Sequence, residues 1–140
     1  MQKEDSKNMI WKYVIAWFGM MFLAIVNGIV RDFVYKQYVG DLSAHQISTL
    51  TLLLLFAPYI CWLMRRWKLQ SQSQAWIIGM IWFMMTEIFE FGLGIRRGLS
   101  TAELLHAYNV LEGQIWILIP LWVLVAPYVF YRYAQFRKME

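Results

Sequence analysis

Long apolar runs without acidic or basic residues alternate with short polar segments along this chain. Four runs contain no Lys, Arg, Asp or Glu, and they cover residues 13–30, 42–64, 69–86 and 113–131. Each reaches the roughly 18 residues that a helix needs to cross the hydrocarbon core of a bilayer. None of them alternates between apolar and polar positions, as a membrane β-strand would. Because backbone groups in lipid must be hydrogen-bonded internally, the pattern predicts four transmembrane helices.

The predicted fold is therefore all-α, with a single membrane domain over residues 1–140. We place the helices of a four-helix transmembrane bundle at about residues 11–31, 44–64, 74–94 and 113–132. A short amphipathic helix is expected on the outer side before the fourth, at about residues 101–112, where leucine and tyrosine recur at helical spacing. The alternative is that this segment continues into the fourth helix, with Gly113 as a weak point.

Local motifs refine these helices. Residues 43–46 (Ser-Ala-His-Gln) and 100–103 (Ser-Thr-Ala-Glu) match the capping box, in which two side chains satisfy free N–H groups at a helix start. The first motif is expected to begin the second membrane helix, and the second motif the amphipathic helix. Ala24 and Gly28, spaced by four, predict a close approach between the first helix and a neighbour.

The composition supports a membrane location and indicates an orientation. Charged residues make up 16% of the chain, against roughly 25% in a typical soluble domain, and hydrophobic residues make up 60%. The basic residues lie at the ends of the apolar runs, so the net charge of +4 is a topology signal and not a nucleic-acid site. Nine lie on the side of the termini, and four, Arg31, Lys36, Arg96 and Arg97, lie opposite. Since basic loops stay in the cytoplasm, both termini are predicted to be cytoplasmic.

Polar residues concentrate at the outer ends of the predicted helices, and this asymmetry indicates a candidate site. Asn27 and Arg31 are four residues apart, and Glu87 and Glu90 are three apart, so each pair shares a helix face. Glu87 lies roughly 18 Å into the third helix, where a carboxylate should face the bundle interior. Arg31 is expected to pair with one of the two glutamates. The predicted ion, proton or ligand site comprises Asn27, Arg31, His45, Glu87, Glu90, Asn109 and Glu112.

The sequence offers little for catalysis or metal binding. It contains no pair of histidines at metal-ligand spacing, no nucleophile motif and no glycine-rich phosphate loop. The single cysteine, Cys61, excludes an internal disulfide and a cysteine-rich metal site. We therefore predict no catalytic residue, no metal and no cofactor, and the chain is more typical of a non-enzyme.

Four motifs resemble a pattern in small bacterial inner-membrane proteins. They are Asn27-Gly28-x-x-Arg31, Ala44-His45-Gln46-x-Ser48, Glu87-x-Phe89-Glu90 and Tyr108-Asn109-x-x-x-Gly113-x-x-Trp116. The resemblance covers most of the chain and implies a multi-pass protein of the bacterial inner membrane, without any particular activity. The chain departs from small multidrug exporters, which carry a glutamate in the middle of the first helix. It also departs from quinone-linked thiol oxidoreductases, which carry paired cysteines.

Three functions fit these features. The first is an inner-membrane protein that binds or moves an ion, a proton or a small polar solute through an outward-facing cavity, as a homodimer or larger assembly. The second is a non-catalytic accessory subunit of a membrane complex, in which the polar cluster holds the helices together. The third is an intramembrane enzyme acting on a lipid or quinone headgroup, with Glu87 or Glu90 as general acid or base. The expected partners are the lipid bilayer and other membrane protein chains, and not nucleic acid.

Overall fold

The computed structural model describes residues 1–139, without the side chain of Gln2. Every regular element in this part of the chain is helical, which confirms the all-α prediction. In chain order the elements are α1 (Gln2–Val30), a π-helical segment (Arg31–Tyr35), α2 (Lys36–Val39), α3 (Asp41–Arg66), α4 (Gln72–Arg96), α5 (Thr101–His106), a 3-10 turn (Val110–Glu112) and α6 (Leu118–Met139).

Three helical stretches are long and apolar enough to cross a membrane. They are Lys3–Val39, which joins α1, the π-helical segment and α2, and then Asp41–Arg66 and Gln72–Arg96. They contain the first three predicted membrane helices and extend beyond them at both ends. The extensions contain most of the charged residues of these three stretches. The chain therefore contains the helices expected of a membrane protein.

Gly40, and not Ser43, marks the start of α3. Gly40 has a φ of 83°, a conformation that side chains disfavour, and it breaks the helical path after α2. Its carbonyl accepts a 3.0 Å hydrogen bond from the Ala44 N–H, so the helix has already begun before Ser43. Asp41 stands in the first turn, where a negative charge stabilises the helix dipole. Because α3 begins at Asp41, residues 43–46 do not cap it, and the prediction of a capping box there is wrong.

The capping box at the start of α5 is confirmed. The Ser100 hydroxyl accepts a hydrogen bond from the Glu103 N–H at 3.3 Å, and the Glu103 carboxylate accepts one from the Ser100 N–H at 2.7 Å. The bond from the Ser100 backbone, and then the one from its side chain, lowers the pKa of Glu103. The carboxylate is therefore ionised at neutral pH and holds the first turn of the helix.

The connection between α5 and α6 is less helical than the sequence predicts. α5 has six residues, half the expected length, and only a 3-10 turn follows it. Gly113 then reverses the chain with a φ of 84°. α6 begins at Leu118 and not at residue 113. Pro120 lies in its first turn, where backbone N–H groups have no partner within the helix, so the N–H that proline lacks costs no hydrogen bond.

The four long helices pack side by side, each against two others. α1 contacts α3 and α4, and α6 contacts the same two helices from the opposite side. Large side chains from all four fill the centre, among them Tyr13, Trp17, Met20, Leu52, Phe56, Ile60, Leu63, Ile78, Trp82, Ile119 and Val123. We call the end of this arrangement that holds Met1 and Met139 the terminal end, and the opposite one the Arg31 end.

Aromatic side chains tie α1 to its neighbours from the terminal end to the middle. The Tyr13 hydroxyl donates to the Trp67 carbonyl at 2.5 Å, and the Trp82 indole donates to the Tyr13 carbonyl at 2.8 Å. The Trp17 indole donates to the Thr86 hydroxyl at 3.0 Å. Tyrosine and tryptophan combine a large apolar ring with one polar atom, so they pack and bond at once. The half of the helix assembly nearer the terminal end, which is almost wholly apolar in sequence, is thus also held together by hydrogen bonds between helices.

Gly79 allows α4 and α6 to approach more closely than any other residue would. A Cβ atom on Gly79 would overlap the backbone carbonyl of Leu124 on α6. The close approach predicted at Ala24 and Gly28 is wrong. The nearest atom to a Cβ on Gly28 belongs to the Arg31 side chain, 3.9 Å away, so Gly28 borders open space.

Candidate functional site

A cavity of about 240 Å³ lies at the Arg31 end, between α1 and α4. Its charged and aromatic lining comprises Arg31, Asp32, His45, Phe89, Glu90, Arg97 and Trp116. Three of the seven predicted site residues, Arg31, His45 and Glu90, meet here. The other four do not line the cavity.

Arg31 reaches the cavity from the π-helical segment. The Lys36 N–H bonds to the Arg31 carbonyl five residues earlier, a pattern that widens the helix and often accompanies functional sites. The guanidinium pairs with Asp32 at 2.8 Å and lies 3.5 Å from the Nδ1 atom of His45. The predicted pairing of Arg31 with a glutamate of α4 is therefore wrong. Asp32 is adjacent in the chain, so bringing it to the guanidinium costs little conformational entropy.

Glu90 and Arg97 line the cavity from α4, and neither is paired. Within residues 1–139, no ion pair or side-chain hydrogen bond involves either side chain, although both border the same space. Arg97 is absent from the predicted site. Its spacing could have revealed it, because Glu90, Gly94 and Arg97 follow one another at i, i+4 and i+7 on one helix face. The cavity thus holds a guanidinium and a carboxyl group that bond to no other side chain of residues 1–139.

His45 and Trp116 close the cavity on the side of α3 and the segment before α6. Their ring centroids are 5.6 Å apart. The Nε2 atom of His45 is buried and has no hydrogen-bond partner in the described part of the chain. Since buried polar atoms are normally bonded, this nitrogen marks a position where a ligand or water would bond.

Glu87 makes a structural contact outside the cavity. The Tyr108 hydroxyl lies 3.2 Å from both carboxylate oxygens of Glu87, and its ring stacks on Phe91 with centroids 6.0 Å apart. Burial, and then the negative charge of Glu87, raises the pKa of Tyr108. The hydroxyl therefore stays protonated and donates to the carboxylate. This bond fastens the α5–α6 connection to α4.

Asn27 is also satisfied by its neighbours. It is only 6% exposed, and its amide donates to the Ser48 carbonyl at 2.9 Å and to the Ser48 hydroxyl at 2.7 Å. These two bonds join α1 to α3 across a buried contact. Asn27 therefore contributes to helix pairing and not to the cavity wall.

Replacing Asn27 with alanine is expected to destabilise the protein by about 1–3 kcal/mol, because Ser48 is left buried without its partner. Unfolding of the purified protein in a denaturing-detergent titration measures this. Thr51→Ala is the matched control, since Thr51 is exposed and bonds only within its own helix, to the Ile47 carbonyl. Equal stability of the two variants would show that the Asn27 contact does not hold the helices.

Asn109 and Glu112 lie in the α5–α6 connection, apart from the cavity. The Asn109 carbonyl accepts bonds from the N–H groups of Glu112 and Gln114, at 3.1 and 3.2 Å. Glu112 pairs with His106 at 3.2 Å, where both side chains are more than half exposed. The two predicted site residues thus shape the connection and contribute nothing to the cavity wall.

A charged rim connects the cavity to the surface of the Arg31 end. A second depression of about 390 Å³ shares Arg31, His45 and Ala107 with the cavity. The rest of its lining is Lys36, Asp41, Leu42, Glu103, His106 and Gln114. A polar solute approaching from the surface would therefore meet charged groups along its whole route.

The chemistry of this arrangement is that of ligand binding. Arg97 and the free edge of Arg31 can bond to an anionic group, and Glu90 can bond to a cation or exchange a proton. Among residues 1–139, no three His, Cys, Asp or Glu side chains are grouped closely enough to hold a metal ion.

No known protein family matches the chain, and neither a curated protein nor a solved structure is significantly similar to it. The fold and the site define the class instead. The chain is an all-α protein with three helices able to cross a membrane and a charged cavity at one end of its helix assembly.

Proposed function

We propose that the chain is a multi-pass membrane protein in which α6 provides a fourth transmembrane helix. α6 has 22 residues, a length of about 33 Å, and its first part is apolar. Nine basic residues at the terminal end, against four at the Arg31 end, favour cytoplasmic termini and an outward-facing Arg31 end. The bacterial inner membrane is the proposed location.

We propose that the cavity binds an ion, a proton or a small polar solute that enters from the outer side. The observation that carries this proposal is the convergence of Arg31, His45, Glu90 and Arg97 on one cavity, with Glu90 and Arg97 unpaired. Glu90 is partly buried, and a polar group removed from water without a partner is unfavourable, whereas Arg97 is exposed to solvent. A ligand that bonds to Glu90 would offset this cost, and Arg97 is accessible to the same ligand.

The rest of the protein favours binding over conduction by one protomer. Towards the terminal end, the centre is filled by apolar and aromatic side chains from all four long helices. A polar solute would have no bonding partners along that path. Movement across the membrane would therefore need a homodimer or larger assembly, which we propose as the functional form.

Replacing Glu90 or Arg97 with glutamine is expected to weaken ligand binding at least about tenfold, or 1.4 kcal/mol. Each change removes one charge from the cavity and leaves a side chain of similar size. Thermal unfolding of the purified protein, followed by tryptophan fluorescence, would be measured against inorganic cations, inorganic anions and small zwitterions at several pH values. At least one solute should raise the Tm of the unchanged protein.

Arg96→Gln and Glu112→Gln are the matched controls, because they remove the same charges from positions outside the cavity lining. They should respond to the solute as the unchanged protein does. The proposal would be contradicted by a solute response that survives both Glu90→Gln and Arg97→Gln, or by the absence of any response in the unchanged protein.

A second candidate is a non-catalytic accessory subunit. The buried Asn27–Ser48 contact and the Glu87–Tyr108 contact favour it, since both bonds hold the fold together and neither borders the cavity. Under this function, a membrane protein should co-purify in a fixed ratio, and Arg97→Gln should leave that ratio unchanged.

A further inference from the structure

The cavity also reaches the outer surface of the helix assembly, between α1 and α4. Ile25 and Ile29 of α1 line it, yet they are 42% and 52% exposed, so the same side chains form the cavity wall and the outer surface. Phe89 and Leu93 line it from the facing side, on α4. The cavity therefore borders the seam between two helices that are long and apolar enough to cross a membrane, in addition to the charged rim.

The cavity is the size of a headgroup. At about 240 Å³ it is below the roughly 300–1,000 Å³ of sites that enclose a drug-sized ligand. A crevice of about 20 Å³ continues from it past Glu90, and a depression of about 120 Å³ adjoins it at Glu90 and Arg97. The acyl chain of an amphiphilic ligand in the cavity would extend along the seam, where Ile25 and Ile29 offer an apolar surface.

The unbonded side chains indicate the headgroup. Arg97 carries a positive charge and Glu90, when ionised, a negative one, so together they complement a zwitterion. The Nε and Nη2 atoms of Arg31 donate hydrogen bonds to Asp32, and its Nη1 atom faces His45. This Nη1 side is the free edge of the guanidinium. A phosphate suits the guanidinium groups, which donate several N–H bonds in one plane. A primary ammonium suits Glu90, because its three N–H groups donate to a carboxylate, whereas a nitrogen that carries three methyl groups has no N–H to donate.

We propose that the ligand is a membrane phospholipid whose headgroup carries a phosphate and a primary amine, and that it enters from the bilayer between α1 and α4. Its phosphate bonds to Arg97 and the free edge of Arg31, and its ammonium bonds to Glu90. Its acyl chains lie in the bilayer along Ile25 and Ile29. The inference rests on the proposed function, of which it specifies the ligand.

The test is binding of defined lipids to the full chain, purified in detergent and stripped of native lipid. Phosphatidylethanolamine, phosphatidylglycerol and phosphatidylcholine are added separately, with soluble phosphoethanolamine as a fourth probe, and bound lipid is counted by native mass spectrometry. We expect one phosphatidylethanolamine to be retained in preference to the other two lipids. Arg97→Gln and Glu90→Gln should each reduce its retention at least about tenfold, and Arg96→Gln should not.

Equal retention of the three lipids, or equal loss in Arg96→Gln and Arg97→Gln, would overturn the inference. Binding of soluble phosphoethanolamine as tightly as the lipid would overturn the lipid source and leave a polar-solute site, so the proposed function would stand. If no probe binds and the solute panel also leaves the Tm unchanged, both proposals fail. Size-exclusion profiles and Tm values of each variant show that it is folded.

Discussion

Replacing Gly79 with leucine is expected to prevent the chain from folding. A Cβ at this position overlaps the Leu124 carbonyl, and a backbone atom in the middle of α6 cannot move aside as a flexible side chain can. α4 and α6 would have to separate along their contact. Even Gly79→Ala should cost about 3 kcal/mol, at the upper end of what overpacking of a core causes. Yield of monodisperse protein and the midpoint of detergent unfolding measure the effect.

The control for this prediction lies on the same helix. A Cβ on Gly92 meets no atom within 4 Å, so Gly92→Leu and Gly92→Ala add the same atoms to α4 without a clash. Both should fold at least as well as the unchanged protein, because glycine is a poor helix former. Normal yield and stability of Gly79→Leu would show that α4 and α6 do not pack as described.

Replacing Gly28 with leucine is expected to abolish ligand binding while the protein remains folded. Gly28 lines the cavity, and the nearest atom to a Cβ there is a terminal nitrogen of Arg31 at 3.9 Å. A leucine would therefore extend into the free space and occupy much of it. We expect a loss of affinity of roughly 100-fold, or about 2.7 kcal/mol. The solute that raises the Tm of the unchanged protein provides the binding measurement.

Gly92→Leu again serves as the comparison, since it adds an identical side chain to a helix position away from the cavity lining. It should bind the ligand normally. Undiminished binding in Gly28→Leu, with the variant folded and monodisperse, would show that the ligand occupies some other part of the molecule.

The apolar runs predicted the helices well because helices in lipid must be long, apolar and internally hydrogen-bonded. Helix ends were harder to predict, since they depend on single residues whose conformation a hydrophobic pattern does not report. Gly40 and Gly113 adopt positive φ angles, and α3 and α6 therefore begin at other residues than the hydrophobic pattern predicts. The π-helical turn at Arg31–Tyr35 was not predictable from composition, because α- and π-helices have the same apolar content.

The polar end of the molecule was also visible in the sequence, but the grouping of its residues was not. Helical spacing shows which side chains share a face, as it did for Glu87 and Glu90. It cannot show which side chains of different helices meet. Asn27 and Glu87 were therefore grouped with the cavity, although Ser48 and Tyr108 bond to them elsewhere.

The central claim is that the space beside Gly28 is a polar cavity open to the outer side of the membrane. A cysteine at position 28, in a Cys61→Ala background that contains no other thiol, tests it in intact cells with a membrane-impermeant thiol reagent. The cavity predicts that Gly28→Cys reacts from outside and that a bound ligand slows the reaction. Absence of labelling in intact cells, with full labelling after the protein is unfolded in detergent, would contradict the claim.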